Sequence, residues 1–362
     1  MTSRLPDFVD APGRLVGAAP YRSDGAVLWG AFLNGGRSAQ QRACDRLLNT
    51  PCGGAFAFRV LSRTVLYAAL LAERTYSLHP RDAGRGAMRE RDIGFWSLVV
   101  GGPRGDLTRW RLYWLPHFLF VDSASAMASG REVYGYFKDI GAFTFAGSPT
   151  HDPRMVIAVE HMKRFDPAGI AASAPLVHLK GKAPGALHDA EDFTRLLASS
   201  AEAPQAAPAP APESGTETGT DAPFADALDS EIVDAVAADA GGDPAEFTRK
   251  APDAREVRRY LEGLLAGLKP PRMGLPTVLL KQIPDAEEPL AAAHLSIVTV
   301  EPVADTVRAF ATVRGAFELV IEPSDSHPIG ATLGLAHRTP LSTLFRVDMD
   351  FTVPTGRTLW RG

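Results

Sequence analysis

The chain has 362 residues, 45% of them hydrophobic and 22% charged, enough to bury a core in one large domain or two ordinary ones. A formal charge of -4 excludes a general electrostatic pull toward nucleic acid or anionic membrane. No run of about eighteen apolar residues occurs, and the opening MTSRLPDFVDAPGR has no apolar leader segment, so a soluble cytoplasmic protein is expected.

Residues 1–55 are rich in Gly, Pro and Arg and carry only short apolar runs, such as Ala26 to Leu33. Ala43, Leu47 and Leu48 fall near one helical face and predict a helix from Ser38 to Leu48. Cys44 and Cys52 have no histidines at metal-ligand spacing; reduced thiols are expected, with a disulfide as the alternative. From Phe56 to Leu78 the chain is dense in Val, Leu, Tyr and Phe. That run reads either as two strands or as a buried helix, because periodicity alone does not arbitrate a short apolar run. The loop that follows carries Arg81, Arg85, Arg89 and Arg91, for which a solvated loop is expected and an anion site is the alternative.

IGFWSLVV and WRLYWLPHFLFVD are β-rich and are joined by GGPRGD, whose Gly, Pro and Asp favour a turn, so a hairpin is predicted. Asp122 and Ser123 are good N-cap residues for a short helix that Gly135 ends, which leaves Lys138 just past the break with Asp139 beside it. AFTFAG, MVIAVEHMKRF and APLVHLK then read as short strands, and a helix is predicted from Asp189 to Leu197. From Ser199 to Pro223 the chain is mostly Ala, Pro, Glu, Thr and Gly, a composition that buries too little surface to offset chain entropy and predicts disorder.

Residues 224–240 form a weakly amphipathic acidic stretch. Asp253 to Leu268 is a stronger helix prediction, with Val257, Leu261, Leu264, Leu265 and Leu268 on one stripe that is expected to pack on the body of the protein. From Leu275 the runs PTVLLKQIP, AHLSIVTVEPV, VRAFATVRGAFELVIEPS and FRVDMDFTVP read as four strands separated by Pro and Gly turns. The economical organisation is one sheet-based domain in two halves, 1–184 and 271–362, interrupted by a helical and low-complexity insert at 185–270.

The run GREVYGYFK, from Gly130 to Lys138, resembles the signature of the acetoacetate decarboxylase family, roughly G-R-E-x-x-G-Y-P-K-K. It agrees at Gly130, Arg131, Glu132, Gly135, Tyr136 and Lys138, and departs at Phe137, where the family has Pro, and at Asp139, where it has a second Lys. LLKQIP at 279–284 and GAFELVIEPSDSHPIG at 315–330 are similar to later segments of the family, in the same order. The resemblance spans about residues 55–180 and 270–362. It implies an α+β fold, predominantly antiparallel β, built as a β-barrel or cone with a few helices, here carrying a long low-complexity insert.

The resemblance also implies a site. Lys138 takes the position of the Schiff-base lysine, and Glu90, in RERDIGFW, that of a pocket glutamate that orients substrate or moves protons. Arg131, Glu132, Tyr136 and Phe137 are expected around the substrate, Arg131 and Glu132 chiefly as an ion pair that shapes the site. The implied activity is release of CO2 from a small keto acid, with no cofactor, no metal, no nucleic-acid or membrane partner, and a homo-oligomeric assembly. The alternatives are lysine-imine aldolase or dehydratase chemistry, and a noncatalytic ligand-binding relative. The histidines at 117, 151, 161, 178, 294, 327 and 337 form no recognisable metal-ligand set.

Amine catalysis needs a neutral lysine nitrogen. A free lysine titrates near 10.4, so working at neutral pH takes a drop of about three units, on the order of 4 kcal/mol. Burial or a neighbouring cation supplies such a drop. Asp139 removes the neighbouring cation, and a carboxylate about 4 Å away favours the charged form by roughly 4 kcal/mol at an effective dielectric of 20. Neighbours in an extended chain point to opposite sides, so Asp139 is expected to face away and burial among Tyr136, Phe137 and Phe143 to lower the amine.

Overall fold

In the computed structural model, which describes residues 8–9, 16–182, 187–189, 230–241, 255–260 and 276–362, the ambiguous run after Phe56 is one long strand. The N-terminal half contributes β1 (Tyr21–Asn34), α1 (Arg37–Cys44), β2 (Phe56–Ser77), β3 (Met88–Pro103), β4 (Arg111–Val121) and α2 (Ala124–Ser129). It continues with β5 (Lys138–Phe145), β6 (Met155–His161), β7 (Ala172–Gly181) and the short β8 (Leu187–Asp189). After α3 (Ser230–Gly241) come β9 (Thr277–Pro284), β10 (Ala292–Val300), β11 (Val303–Ile321), α4 (Ile329–Leu333), β12 (Arg338–Val353) and β13 (Arg357–Arg361).

The strands join in one mixed sheet, in the order β13-β10-β9-β4-β3-β2-β1-β12-β11-β7-β6-β5, and a β4–β5 pairing closes part of it into a ring. The described pairings are antiparallel except at β4–β5 and β4–β9. The expected barrel is therefore not a clean one. Its closure rests on three parallel residue pairs, Leu119–Lys138 to Val121–Ile140, and β9, β10 and β13 form a side arm. Strands β11 and β12 lie between β7 and β1, so residues from both ends of the chain share one sheet.

Strand alternation sets the two faces. On β2, Val65, Tyr67, Ala69 and Leu71 join a core cluster with Trp29, Phe95, Ile157 and Leu319. Leu66, Ala68 and Leu70, on the other face, line a cavity. Each large side chain so buried contributes roughly 1.5–3 kcal/mol, which fixes the register because a one-residue slip would invert the faces.

Part of the predicted insert packs on this body. Ile232, Val233, Val236 and Ala240 of α3, with Val257 of the helical stretch 255–260, share an apolar cluster with Leu98, Trp110, Phe345 and Val347. Asp239, its side chain only 5% exposed, accepts from Arg59 at 2.6 Å and from Arg104. The packing face expected at Val257 is thus present, whereas Leu261 to Leu268 lie outside the described residues. So does the stretch 199–223. Of the helix predicted from Asp189 to Leu197, Asp189 instead ends β8 and the rest lies outside the described residues.

The predicted 38–48 helix appears as α1 extended by a π turn at Asp45–Asn49, and the hairpin as β3–β4. Of the four arginines expected in a solvated loop, Arg81 and Arg85 lie in one, 38% and 42% exposed beside Asp82, whereas Arg89 and Arg91 belong to β3, 59% and 29% exposed beside Glu73 and Asp122. Cys44 and Cys52 are free and buried. Among the described residues no helix is long and apolar enough to cross a membrane.

Candidate active site

The site starts from a helix that ends by widening. Ser123 caps α2, its hydroxyl accepting from the Ala126 amide at 3.2 Å. The chain then makes a π turn at Gly130–Tyr134, in which the Gly135 amide donates to the Gly130 carbonyl at 3.0 Å. Gly135 ends it with φ 93°, and a Cβ there would lie 2.8 Å from Lys281 Cα, so both conformation and space require glycine. Lys281 Nζ donates to the Val133 carbonyl at 3.0 Å, which ties the same turn to β9.

Just past this break Lys138 opens β5. Its aliphatic stem crosses the bare Cα of Gly130, where a Cβ would lie 2.7 Å from Lys138 Cδ. The stem's direction is thereby fixed, and the ammonium meets two carboxylates from β3. Nζ is 2.6 Å from Glu90 Oε1 and 3.7 Å from Asp92 Oδ2, and 5.9 Å from the Tyr136 ring centroid. Glu90 and Asp92 are two residues apart on one strand and therefore share a face. The side chains of Lys138, Glu90 and Asp92 are 11%, 10% and 17% exposed.

This arrangement overturns the expected activation of Lys138 by burial. Burial does pull the amine down, but Glu90 and then Asp92 push it up by more, and the ammonium is held above the ordinary lysine range. Asp92 is raised to about 7, by burial first; Lys138 opposes that rise and the nearby Glu90 charge adds to it. Lys138 Nζ and Glu90 Oε1, 2.6 Å apart, are within direct proton-transfer distance.

Asp139 faces away, as alternation requires. Its side chain is 54% exposed, with Oδ2 3.2 Å from His327 Nε2 and Oδ1 accepting from the Ile140 amide at 2.8 Å. Phe137, also adjacent to Lys138, is likewise absent from the cavity lining, whereas Tyr136 and Lys138 both contribute to it. Phe143 packs on the core cluster instead. Arg131 and Glu132 sit on the exposed side of the π turn, outside the cavity, so neither they nor Phe137 surround the substrate space as expected.

The cavity measures about 270 Å³. Glu90, Asp92, Tyr136 and Lys138 line one part of it, the hydroxyls of Ser23, Thr75, Ser129 and Thr277 add uncharged polar groups, and Trp96, Trp114, Tyr134 and Phe345 are among its aromatic residues. Tyr136 is hydrogen-bonded to Thr277, and burial raises its hydroxyl pKa. Tyr134 donates to the carbonyls of Val353 and Pro354 at 3.3 and 3.1 Å, fixing the end of β12 beside the turn. Sequence reasoning named Glu90 but passed over Asp92, although the spacing in RERD places both on one strand face.

No protein-family model matches the chain, and no curated protein matches it in sequence. Solved structures do. An acetoacetate decarboxylase from Legionella pneumophila superposes with a TM-score of 0.53 at 13% identity, covering 99% of this chain and 93% of that one. A second acetoacetate decarboxylase structure gives 0.53 at 11% identity, over 98% and 96% of the two chains. The chain has the acetoacetate decarboxylase-like fold. Within that fold, the cavity around Lys138 is lined from β1, β2, β3, β4, β9, β11 and β12 together with α2 and the π turn.

Proposed function

We propose that the protein is a lysine-imine carbon–carbon lyase in which Lys138 forms a Schiff base with a keto acid and the imine accepts the electron pair left by CO2. The observation that supports it most is a lysine nitrogen 2.6 Å from one carboxylate and 3.7 Å from another, at the polar part of a largely apolar cavity. The ammonium passes its proton to the Glu90–Asp92 pair, and the free amine adds to the ketone carbon while the carbonyl electrons move to oxygen. A returned proton lets that oxygen leave as water and forms the iminium. Cleavage of the carbon–carboxylate bond sends its electrons into the iminium, giving CO2 and an enamine. The acid pair, having taken up a proton from solvent, protonates the enamine carbon, and water adds to the resulting iminium to release the ketone and restore the Lys138 ammonium.

A second reading, aldolase or dehydratase chemistry on the same enamine, draws support from the same two carboxylates. An acid–base pair beside the nitrogen suits proton transfer at a neighbouring carbon or hydroxyl, and Asp139, turned outward, brings no second cation to the cavity. The deciding experiment is incubation with acetoacetate or pyruvate, borohydride reduction and peptide mapping. An adduct on Lys138 with CO2 release supports decarboxylation, and an adduct without CO2 supports the aldolase-type reading. No adduct with any carbonyl compound points to a ligand-binding relative.

A further inference from the structure

We infer that the substrate carries a bulky apolar substituent on its carbonyl carbon, and that this substituent, by excluding water, drives Lys138 into its reactive form. The inference rests on the imine reading of Lys138 and specifies the class of molecule the site takes. Its first support is the shape and chemistry of the cavity. At about 270 Å³ it approaches the roughly 300 Å³ at which pockets begin to enclose drug-sized ligands, and acetoacetate or pyruvate would leave most of it unfilled.

The second support is position along the strands. Leu70 of β2 pairs with Asp92 of β3, and Leu66 pairs with Trp96. Four residues of strand separate Leu70 from Leu66, about 13 Å at the usual rise, and Ala68 is the small residue on the same face between them. An extended hydrocarbon anchored at Lys138 would run along this face. Its far part would meet Leu28, Leu66, Trp114, Phe345 and Met349, which belong to the same apolar cluster as Val233 and Val236 of α3. The insert helix thus backs the wall on which the tail would lie.

The third support is charge. Among the described residues that line the cavity, Lys138 is the one Lys, Arg or His, and Glu90 and Asp92 already engage it. A second anionic group, remote from the reacting carbonyl, has no cation to meet. An apolar tail, in contrast, removes water from the cavity, and loss of water penalises the ammonium–carboxylate pair relative to the neutral amine and acid. Proton transfer from Lys138 to the carboxylates is thereby favoured when the right substrate is bound. The amine then needs no permanently lowered pKa.

The test is a chain-length series of straight 3-oxo acids, from 3-oxobutanoate to 3-oxodecanoate, in borohydride trapping on the full-length protein. Half-saturating concentration is expected to fall about fourfold per added methylene until the cavity is filled. Ala68→Phe, which fills the middle of the tail face, is expected to flatten that slope. A series with no chain-length dependence, or one favouring 3-oxobutanoate, overturns the inference while leaving the imine reading intact. In parallel, 2-alkanones and 1-alkanols of the same lengths are titrated against tryptophan fluorescence, since Trp96 and Trp114 line the cavity. Length-dependent quenching without any Lys138 adduct would refute the imine reading and retain the apolar site. Absence of both would refute each.

Discussion

Lys138 and Asp139 are joined by one peptide bond yet occupy opposite environments. The lysine points into the cavity, held by two carboxylates that outweigh the effect of burial; the aspartate points outward, more than half exposed, beside His327. The position at which the decarboxylase signature carries a second lysine therefore does not set the charge state of Lys138 in this chain. Glu90 and Asp92, forty-eight and forty-six residues upstream, do. A charge on the neighbouring residue matters less than a charge on the neighbouring strand, because pleating separates the first and register delivers the second.

Substitutions can break this asymmetry in graded steps. Lys138→Met is expected to abolish adduct formation and to cut turnover by at least about a thousandfold. It also leaves Glu90 and Asp92 buried without their cation, a loss of about 3–5 kcal/mol in urea unfolding at pH 8 that shrinks at pH 5 as Asp92 takes up a proton. Gly130→Ala places a methyl 2.7 Å from Lys138 Cδ and displaces the stem, with an expected tenfold to hundredfold loss in trapping rate, on the order of what such misplacement costs.

Asp92→Asn sharpens the comparison through pH. The folded-state pKa of Asp92, about 7, lies above its ordinary 3.8, so its contribution to stability is fully present below 3.8 and is lost as pH rises through 7. Thermal unfolding of the wild type between those limits should show this decline, and Asp92→Asn should remove it. Asp139→Asn, on the outward face, should change stability by no more than about 0.5 kcal/mol and leave adduct formation within about twofold. A large loss of trapping in that variant would show that the outward carboxylate does reach the amine.

Where one face of an element is buried, the sequence was readable. The β3–β4 hairpin, the Ser123 cap and the Gly135 stop follow from local chemistry that the tertiary structure only confirms. β1 was not legible, because YRSDGAVLWGAFLN mixes charge, glycine and apolar residues and owes its burial to lying between β2 and β12. The single long β2 was ambiguous for a different reason: from Val65 to Leu71 burial alternates, but both faces carry apolar side chains, one in the core and one on the cavity, so the letters themselves do not alternate. At the site, the exposure of Arg131 and Glu132 follows from a π turn whose i to i+5 bond no 3.6-residue periodicity anticipates. Asp92 was the signal within reach, one alternation step from Glu90. The apolar wall was out of reach, since it assembles Leu66, Trp114 and Phe345 from three distant strands.

The most direct test is the protonation state of the Lys138 nitrogen itself, followed by lysine ¹⁵N NMR against pH and assigned by its absence in Lys138→Met. The two-carboxylate site predicts an ammonium that persists above pH 10.5, with a midpoint that moves down in Glu90→Gln. A nitrogen already neutral near pH 7, or a midpoint indifferent to Glu90, would contradict it.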